Sequence, residues 1–143
     1  MKTSKVAISA ILLWVVSALV FGWFFVRGNT ESVSGERTAI VLSSAEREVV
    51  LMEMRGLLTS VQGILDGLNR KDMKQAAQAA RASGMGAAVD LNPALMAKLP
   101  LSFKDLGMSV HHGMDDIAAD AEAGKPADEI LNKLSHTLAS CVA

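Results

Sequence analysis

Cys141 is the residue best suited to covalent chemistry, because it is the only cysteine in the 143-residue chain. A single thiol cannot form an internal disulfide, and the sequence contains no CxxC pair. The chain also contains eight methionines. Methionine usually fills irregular gaps in a core, but its thioether sulfur is also a ligand of haem iron. Residue types alone leave both roles of the methionines open.

His111 and His112 are the next candidates for ligand chemistry. Adjacent residues of a helix point about 100° apart, so the two rings cannot bind one metal ion together, and a solvated histidine pair is the simpler interpretation. The following turns carry four acidic residues, Asp115, Asp116, Asp120 and Glu122. Such a cluster could suggest a cation site, but charges along one flank of a helix usually form a solvated face. We therefore predict no metal site here.

No sequence pattern of a catalytic centre is present. The chain lacks a nucleophile elbow, a phosphate-binding loop and an HExxH spacing. Its net charge is -1 and its pI is near 6.3, and no run of Lys and Arg is interleaved with aromatic residues. We therefore expect neither an enzyme nor a nucleic-acid-binding protein.

The first 27 residues have the pattern of a membrane anchor. Residues 6–26 carry no charge, and a helix of this length spans a hydrocarbon core of about 30 Å. Lys2 and Lys5 precede this segment, which predicts that the amino terminus lies inside, and Arg27 closes it. The domain that follows should then lie outside the cytoplasm. We predict an anchor in the inner (cytoplasmic) membrane, with the soluble domain in the periplasm.

A cleaved signal peptide is the alternative interpretation of the same segment. Signal-peptide apolar regions run about 7 to 15 residues and end in a small-x-small site, whereas this segment ends in FFVRGN. An uncleaved anchor is therefore favoured. Residues 28–42 begin with polar, Gly- and Ser-containing sequence, which predicts a short tether between the anchor and the domain at residues 43–143.

The domain after the tether is predicted to be all-α. The chain contains no tyrosine, two Trp and four Phe, and half of its residues are apolar, which favours helices over sheet. Helix-capping and apolar periodicity predict four main helices, at residues 44–69, 72–83, 102–123 and 127–141. Asn92-Pro93 predicts a further helical turn at residues 94–98.

Particular residues set these boundaries. Ser43 and Glu46 form a capping-box pattern, Asp72 can cap the second helix, and Ser102 with Asp105 resembles a cap for the third. Gly84 is expected to end the second helix as a left-handed residue. Seven residues of the first helix, Val50, Met54, Leu57, Leu58, Val61, Leu65 and Leu68, recur at three- and four-residue steps. With short links between helices, the simplest packing is an antiparallel up-down-up-down four-helix bundle.

Three stretches of the domain carry a family resemblance. They are EMRGLLTSVQGILDGLNRKDMKQAAQAARASGM, LNPALMAKLPLSFKDLGMSVHHGMDDIA and the ending LSHTLASCVA. Together, over roughly residues 46–143, they resemble the cytochrome c prime family and related class II c-type cytochromes. The resemblance implies a four-helix bundle with haem c bound covalently through a CxxCH motif near the end of the last helix, and with the motif histidine as the proximal iron ligand.

The motif is only partly present in this chain. Cys141, Val142 and Ala143 match its first three positions, and the second cysteine and the histidine are not among the 143 residues. One hypothesis is that the chain belongs to a longer protein in which Cys-His follows. The other is that a bundle of this kind here lacks covalent haem attachment and the proximal ligand.

The resemblance also implies an axial ligand on the first helix of the domain. In low-spin relatives a methionine there is the sixth iron ligand, and the matching position is Met54, with Met52 as the second choice. The two side chains point about 200° apart around the helix, so only one can face the site. Because the first and last helices of such a bundle are neighbours, Cys141 is expected at the mouth of an apolar cavity into which Met54 points.

The function implied is electron transfer, or binding of a small gas to haem, by a membrane-tethered cytochrome. The alternative is a haem-free bundle that acts as a structural or sensory partner in a membrane complex. The expected partners are the lipid bilayer and a redox protein. The sequence leaves open whether the protein forms a homodimer.

Overall fold

The computed structural model describes residues 5–33, 38–88 and 92–142 of the chain. These residues form helices and one short hairpin. In chain order the elements are α1 (Lys5–Arg27), β1 (Thr30–Ser32), β2 (Thr38–Ile40), α2 (Ser44–Asn69), α3 (Met73–Arg81), α4 (Met85–Ala88), α5 (Pro93–Lys98), α6 (Leu101–Glu122) and α7 (Ala127–Ala139). The all-α prediction is confirmed, and the four main predicted helices correspond to α2, α3, α6 and α7.

The anchor segment forms one continuous helix, α1. None of its residues is buried, and its best 18-residue window has a mean hydropathy of 2.3. The helix protrudes from the domain and contacts α5 and α6. By length and composition, α1 is long and apolar enough to cross a membrane.

A small antiparallel hairpin lies within the segment expected to be a tether. Strand β1 pairs with β2 in the register Thr30 to Ile40 and Ser32 to Thr38. Just before it, Gly28 adopts a φ of +66°, and a Cβ at this position would lie 2.5 Å from the carbonyl oxygen of Lys98. The next amide, that of Asn29, donates to the same carbonyl at 2.7 Å. The chain leaving α1 is therefore hydrogen-bonded to the domain rather than extending freely from it.

The predicted starts of three helices are confirmed by their caps. Ser43 and Glu46 form the capping box of α2, in which the Glu46 carboxylate accepts from the Ser43 amide at 2.8 Å. The Asp72 carboxylate accepts from the first turn of α3, and the Asn92 side chain accepts from the first turn of α5. Each cap satisfies a backbone N–H that has no partner within its own helix.

Two other predicted caps are wrong, although the helix bounds lie within two residues of those predicted. Helix α6 begins at Leu101 after Pro100, with no side-chain cap, so Ser102 lies inside the helix rather than capping it. Helix α3 ends at Arg81 with a right-handed residue next, and Gly84 is not a left-handed cap. The backbone at Gly84 instead packs tightly against an acidic side chain of α6, which leaves no room for a Cβ.

The core lies where α2, α3, α6 and α7 meet. Helix α3 packs against α2 and α6, and α6 packs against α7. The buried core residues are Ile64, Leu68, Ala76, Ala77, Ala80, Val110, Met114, Ile117, Ala118, Ala121, Ile130 and Leu134. Small residues allow the closest approach, because a Cβ on Gly67 would lie 2.6 Å from the backbone nitrogen of Ala76.

The first and last helices of the domain both contribute to this core, but their backbones approach less closely than those of consecutive helices. In the described residues, extensive backbone packing is found for consecutive helices of the core but not between α2 and α7. The closed four-helix bundle, in which these two helices would be neighbours, therefore stays a prediction.

The buried face of α2 differs from the predicted apolar stripe. Ile64, which was not part of that stripe, is fully buried at the centre of the core. Leu58 and Leu65, which were part of it, are 69% and 46% exposed. The face of α2 toward the core is fixed by the close contact of its glycines with α3, so a second apolar row remains on the outside.

Candidate functional site

Cys141 lies just beyond the last turn of α7. Its side chain is exposed, and its amide donates to the carbonyl of Leu138 at 3.0 Å. The end of α7 is tied to α6 because the Ser109 hydroxyl donates to the Ser140 hydroxyl at 3.0 Å. The only thiol of the chain is therefore accessible, and its position along the axis of α6 is fixed. We call this position along the axis its height.

Met54 and Met52 both lie on the first half of α2. The Met54 side chain is 48% exposed and the Met52 side chain is 66% exposed. Neither belongs to the packed core. Met54 is the less exposed of the two, and it lies between half-buried residues of the same helix, Val50 and Leu57.

Two hydrogen bonds fix the height of α2 relative to α6. The hydroxyls of Ser60 and Ser83 are 2.7 Å apart, and the Ser83 carbonyl accepts from Nδ1 of His111 at 2.9 Å. Ser60 on α2 and His111 on α6 therefore lie at similar heights. From this level, Met54 is about 9 Å nearer the anchor, at about 1.5 Å per residue. Cys141, next to the Ser140–Ser109 contact, is displaced in the same direction. Its height differs from that of Met54 by about one helical turn.

The packed core ends near this level. From Ser44 to Thr59, α2 has no buried residue, and between Leu101 and Ser109 the only buried residue of α6 is Lys104. We call these two segments, residues 44–59 and 101–109, the open half of the domain. Their apolar side chains, including Leu57, are mostly half-covered. Cys141, next to the contact between Ser140 and Ser109, therefore lies at the level where the open half of α6 ends.

Two surface cavities are found in the described part of the chain. One, of about 520 Å³, lies between the end of α1, the hairpin and the start of α6. The other, of about 450 Å³, is a groove on the second half of α2 beside Leu58, Val61 and Leu65. Neither is lined by Cys141 or Met54. The cavity expected to join these two residues is thus not one of the two.

The histidine pair differs from the prediction at one position. His112 is exposed, but His111 is 7% exposed and hydrogen-bonded to the Ser83 carbonyl. A carbonyl oxygen can only accept, so Nδ1 of His111 carries the proton. The interpretation of both residues as solvated is wrong for His111. Its ring reaches the chain after α3, which a helical pattern does not reveal.

The acidic residues of α6 form separate structural contacts. The Asp115 carboxylate accepts from the Met85 amide at 2.9 Å, and Glu122 accepts from Arg81 at 2.7 Å. Asp120 is 9% exposed and forms ion pairs with Lys133 and with Lys125. Hydrogen bonds from Lys133 and Lys125 hold the pKa of Asp120 below its usual value.

The predicted solvated acidic face is therefore wrong for Asp120, whose carboxylate is largely covered and bridges α6 to α7. Asp116 is exposed. Within residues 5–33, 38–88 and 92–142, no three His, Cys, Asp or Glu side chains are grouped so that they could hold a metal ion.

Two lysines that the sequence did not single out join separate helices, Lys98 joining α5 to α2 and Lys104 joining α6 to the anchor helix α1. Lys98 donates to Glu46 at 2.6 Å, and this bond, with those from Ser43, lowers the pKa of Glu46 to about 2. Lys104 is 9% exposed and donates to the main-chain carbonyl of Phe25 at 3.2 Å. A main-chain carbonyl is available at every residue, so no sequence signal could have identified this partner.

The residues present fit a haem group in part. The thiol of Cys141 is accessible for one thioether bond, and the Met54 thioether is half-exposed beside apolar residues. Nδ1 of His111 is engaged with a carbonyl, whereas His112 and His136 are exposed. The second cysteine and the motif histidine of CxxCH are not among the 143 residues.

Comparisons with protein-family models, with characterised proteins and with solved structures give no match. The structure defines a general class. It is an all-α chain with a core built from α2, α3, α6 and α7, joined to one N-terminal helix that is long and apolar enough to cross a membrane.

Proposed function

We propose that the chain is a membrane-anchored protein related to class II c-type cytochromes, which transfers electrons or binds a small gas through haem c. Its anchor would cross the cytoplasmic membrane, and its helical domain would lie in the periplasm. The observation that supports this proposal most is that Cys141 and Met54 differ in height by only about one helical turn, beside the half-covered apolar residues of the open half.

The roles of the residues follow from their chemistry. Haem, when bound, supplies one-electron exchange at iron. The Cys141 sulfur would form one thioether bond, and the Met54 sulfur would bind the iron. Half-covered apolar residues of the open half, such as Val50 and Leu57, would exclude water from the ring. A redox protein is the expected partner, and the anchor would confine their encounter to the bilayer surface.

Restoring the motif tests the proposal directly. Extending the chain with Cys-His after Ala143, in a host with haem-attachment machinery, should give a red protein with the pyridine haemochrome spectrum of a c-type haem. Cys141→Ser in the extended protein should reduce covalent attachment. A colourless product from the extended chain, folded by circular dichroism, would overturn the proposal.

The ligand assignment has its own test in the same background. Met54→Ala should shift the iron toward a five-coordinate, high-spin spectrum, because a thioether ligand is lost. Met52→Ala is the matched control, since Met52 lies on the same helix and points elsewhere. If the protein is red and Met54→Ala leaves its spectrum unchanged, the cytochrome proposal still holds, but Met54 is not an iron ligand.

A second candidate function is that of a haem-free module in a membrane complex, with a structural or sensory role. The outer apolar row of α2 favours it, because Met54, Leu58 and Leu65 are 48%, 69% and 46% exposed. Contiguous exposed apolar surface of this kind often marks a protein contact. A photo-crosslinking residue at position 58 in native membranes should then give a defined adduct. The control has the photo-crosslinking residue in place of Gln78, which is exposed on α3.

A further inference from the structure

The cavity at the end of α1 is built from three separate parts of the chain. Its volume is about 520 Å³, which falls in the range of small-molecule sites. The last turn of α1 contributes Val26 and Arg27, and the start of α6 contributes Ser102, Phe103 and Leu106. The hairpin forms the remaining wall. The cavity therefore lies where the anchor helix meets the domain.

The pairing of the hairpin explains its polar wall. Side chains of a strand alternate between the two faces, and paired residues of neighbouring strands share a face. The pairs Thr30 with Ile40 and Ser32 with Thr38 therefore present four side chains on one side, and all four line the cavity. Glu31 is on the opposite face. The two strands thus direct three hydroxyl groups toward the cavity, and the carboxylate of Glu31 lies on the other face.

The charge of the cavity is of one sign. Among the described residues, Arg27 is the only ionisable residue that lines it. The guanidinium carbon of Arg27 lies 5.7 Å from the centroid of the Trp23 ring, one turn earlier in α1. This cation–π contact holds the guanidinium near the helix while its N–H groups remain able to bind an acceptor. A cation surrounded by hydroxyls, with no carboxylate among the described lining residues, favours a phosphate group.

The cavity also has an apolar wall that continues the surface of the anchor. Val26, Ile40, Phe103 and Leu106 form it, and Val26 belongs to the last apolar turn of α1. If α1 crosses a membrane, this turn lies at the level of the lipid headgroups. An apolar wall adds nothing to the binding of a free phosphate ion, because the ion has no apolar group. The glycerol and first acyl carbons of a lipid can pack on it.

We infer that this cavity binds the phosphate-bearing headgroup of an anionic membrane phospholipid. Arg27 binds the phosphate, the hydroxyls of Thr30, Ser32, Thr38 and Ser102 bind the ester and headgroup oxygens, and the apolar wall contacts the glycerol region. The inference uses the anchor but not the haem. Its test therefore does not depend on whether Cys141 carries a cofactor.

Native mass spectrometry of the full chain in detergent provides the test. Phosphatidylglycerol and phosphatidylcholine with the same acyl chains are added in turn. The phosphatidylglycerol adduct should be retained about five-fold more, the effect expected from one basic side chain at an anionic headgroup. Arg27→Gln should remove this difference, and Thr38→Val, which keeps the shape and β-propensity of the residue, should reduce it.

Two substitutions are matched controls. Arg55→Gln removes an exposed arginine of α2, and Glu31→Gln changes the other face of the hairpin, so neither should affect the preference. Equal retention of the two lipids, or an unchanged preference in both Arg27→Gln and Thr38→Val, would overturn the inference. Loss of the lipid adduct on adding excess inorganic phosphate would overturn the lipid as the ligand and point to free phosphate.

Discussion

The ammonium group of Lys104 lies 3.2 Å from the main-chain carbonyl oxygen of Phe25 and 3.9 Å from the centroid of the Phe25 ring. Phe25 is in the last turn of α1, where carbonyl groups lack partners within the helix and the helix dipole favours a cation. This single side chain of α6 therefore provides a hydrogen-bond donor for a carbonyl at the end of the anchor helix and joins that helix to the domain.

Replacing Lys104 by Met should loosen this junction. The Phe25 carbonyl would lose a charged donor, and such hydrogen bonds contribute about 1.5 to 3 kcal/mol. Hydrogen exchange should accelerate about tenfold or more at the Asn29 amide, which donates to Lys98 across the junction, and at the Val41 amide, which donates to the Asn29 carbonyl beside it. Lys74→Met, at an exposed position of α3, is the control. Unchanged exchange at both amides would contradict the assigned role of Lys104.

Gly67→Ala should destabilise the domain, whereas Gly56→Ala should not. A Cβ at Gly67 would meet the backbone of Ala76 at 2.6 Å, so the cost is that of overpacking, about 1 to 3 kcal/mol. A Cβ at Gly56 meets nothing within 4 Å, and the gain in helix propensity should stabilise α2 by about 0.5 to 1 kcal/mol. Chemical unfolding in detergent, followed by circular dichroism, measures both. Equal effects would show that α2 and α3 are not in close contact.

Neighbouring residues Ile64 and Leu65 should respond very differently to alanine. Ile64 is fully buried, and its replacement should cost about 2 to 5 kcal/mol because it leaves a cavity. Leu65 is 46% exposed, so Leu65→Ala should cost about 1 kcal/mol or less. The same unfolding measurement compares them. A larger loss at Leu65 would mean that the outer row of α2 is covered in the folded protein.

The ion pair of Glu46 with Lys98 should make stability depend on pH in the acid range. The pKa of Glu46 falls from 4.5 to about 2 in the folded protein, chiefly through the hydrogen bond from Lys98. A depressed carboxyl pKa stabilises the folded state above about pH 4.5, and this contribution is lost as the pH falls toward 2. The difference in unfolding free energy between the native chain and Glu46→Gln should therefore shrink over this window.

Carbon-13 NMR of the Glu46 carboxyl provides a direct measurement of the same effect. Its midpoint should lie near 2 in the native chain and rise toward the ordinary value in Lys98→Met. A midpoint that does not respond to Lys98→Met would show that the lysine is not the main cause of the shift.

Local sequence patterns determined most of the helices. The uncharged run of residues 6–26 predicted α1, the Ser43–Glu46 pair predicted the start of α2, and Asp72 predicted the cap of α3. These features act over a few residues, since a cap needs only the next turn and a long apolar helix needs only its own length. The hairpin was not predicted, because its strands are only three residues long.

The candidate site could be predicted only as residue types. The sequence identified Cys141 and Met54 through a family resemblance. Their relative height depends on hydrogen bonds between residues 23 to 31 positions apart, such as Ser60 with Ser83 and Ser109 with Ser140. No local pattern contains that register, because it is set when whole helices pack.

Tertiary structure alone decided which apolar row of α2 is buried and how the anchor meets the domain. The sequence of α2 offers two apolar rows about 100° apart, and the contact of Gly67 with Ala76 selects the one with Ile64. Lys104 and Phe25 are 79 positions apart, and their bond joins a side chain to a main-chain atom. A sequence specifies its helices through neighbouring residues. The faces that meet are determined by the steric fit and hydrogen bonds of residues far apart in the chain.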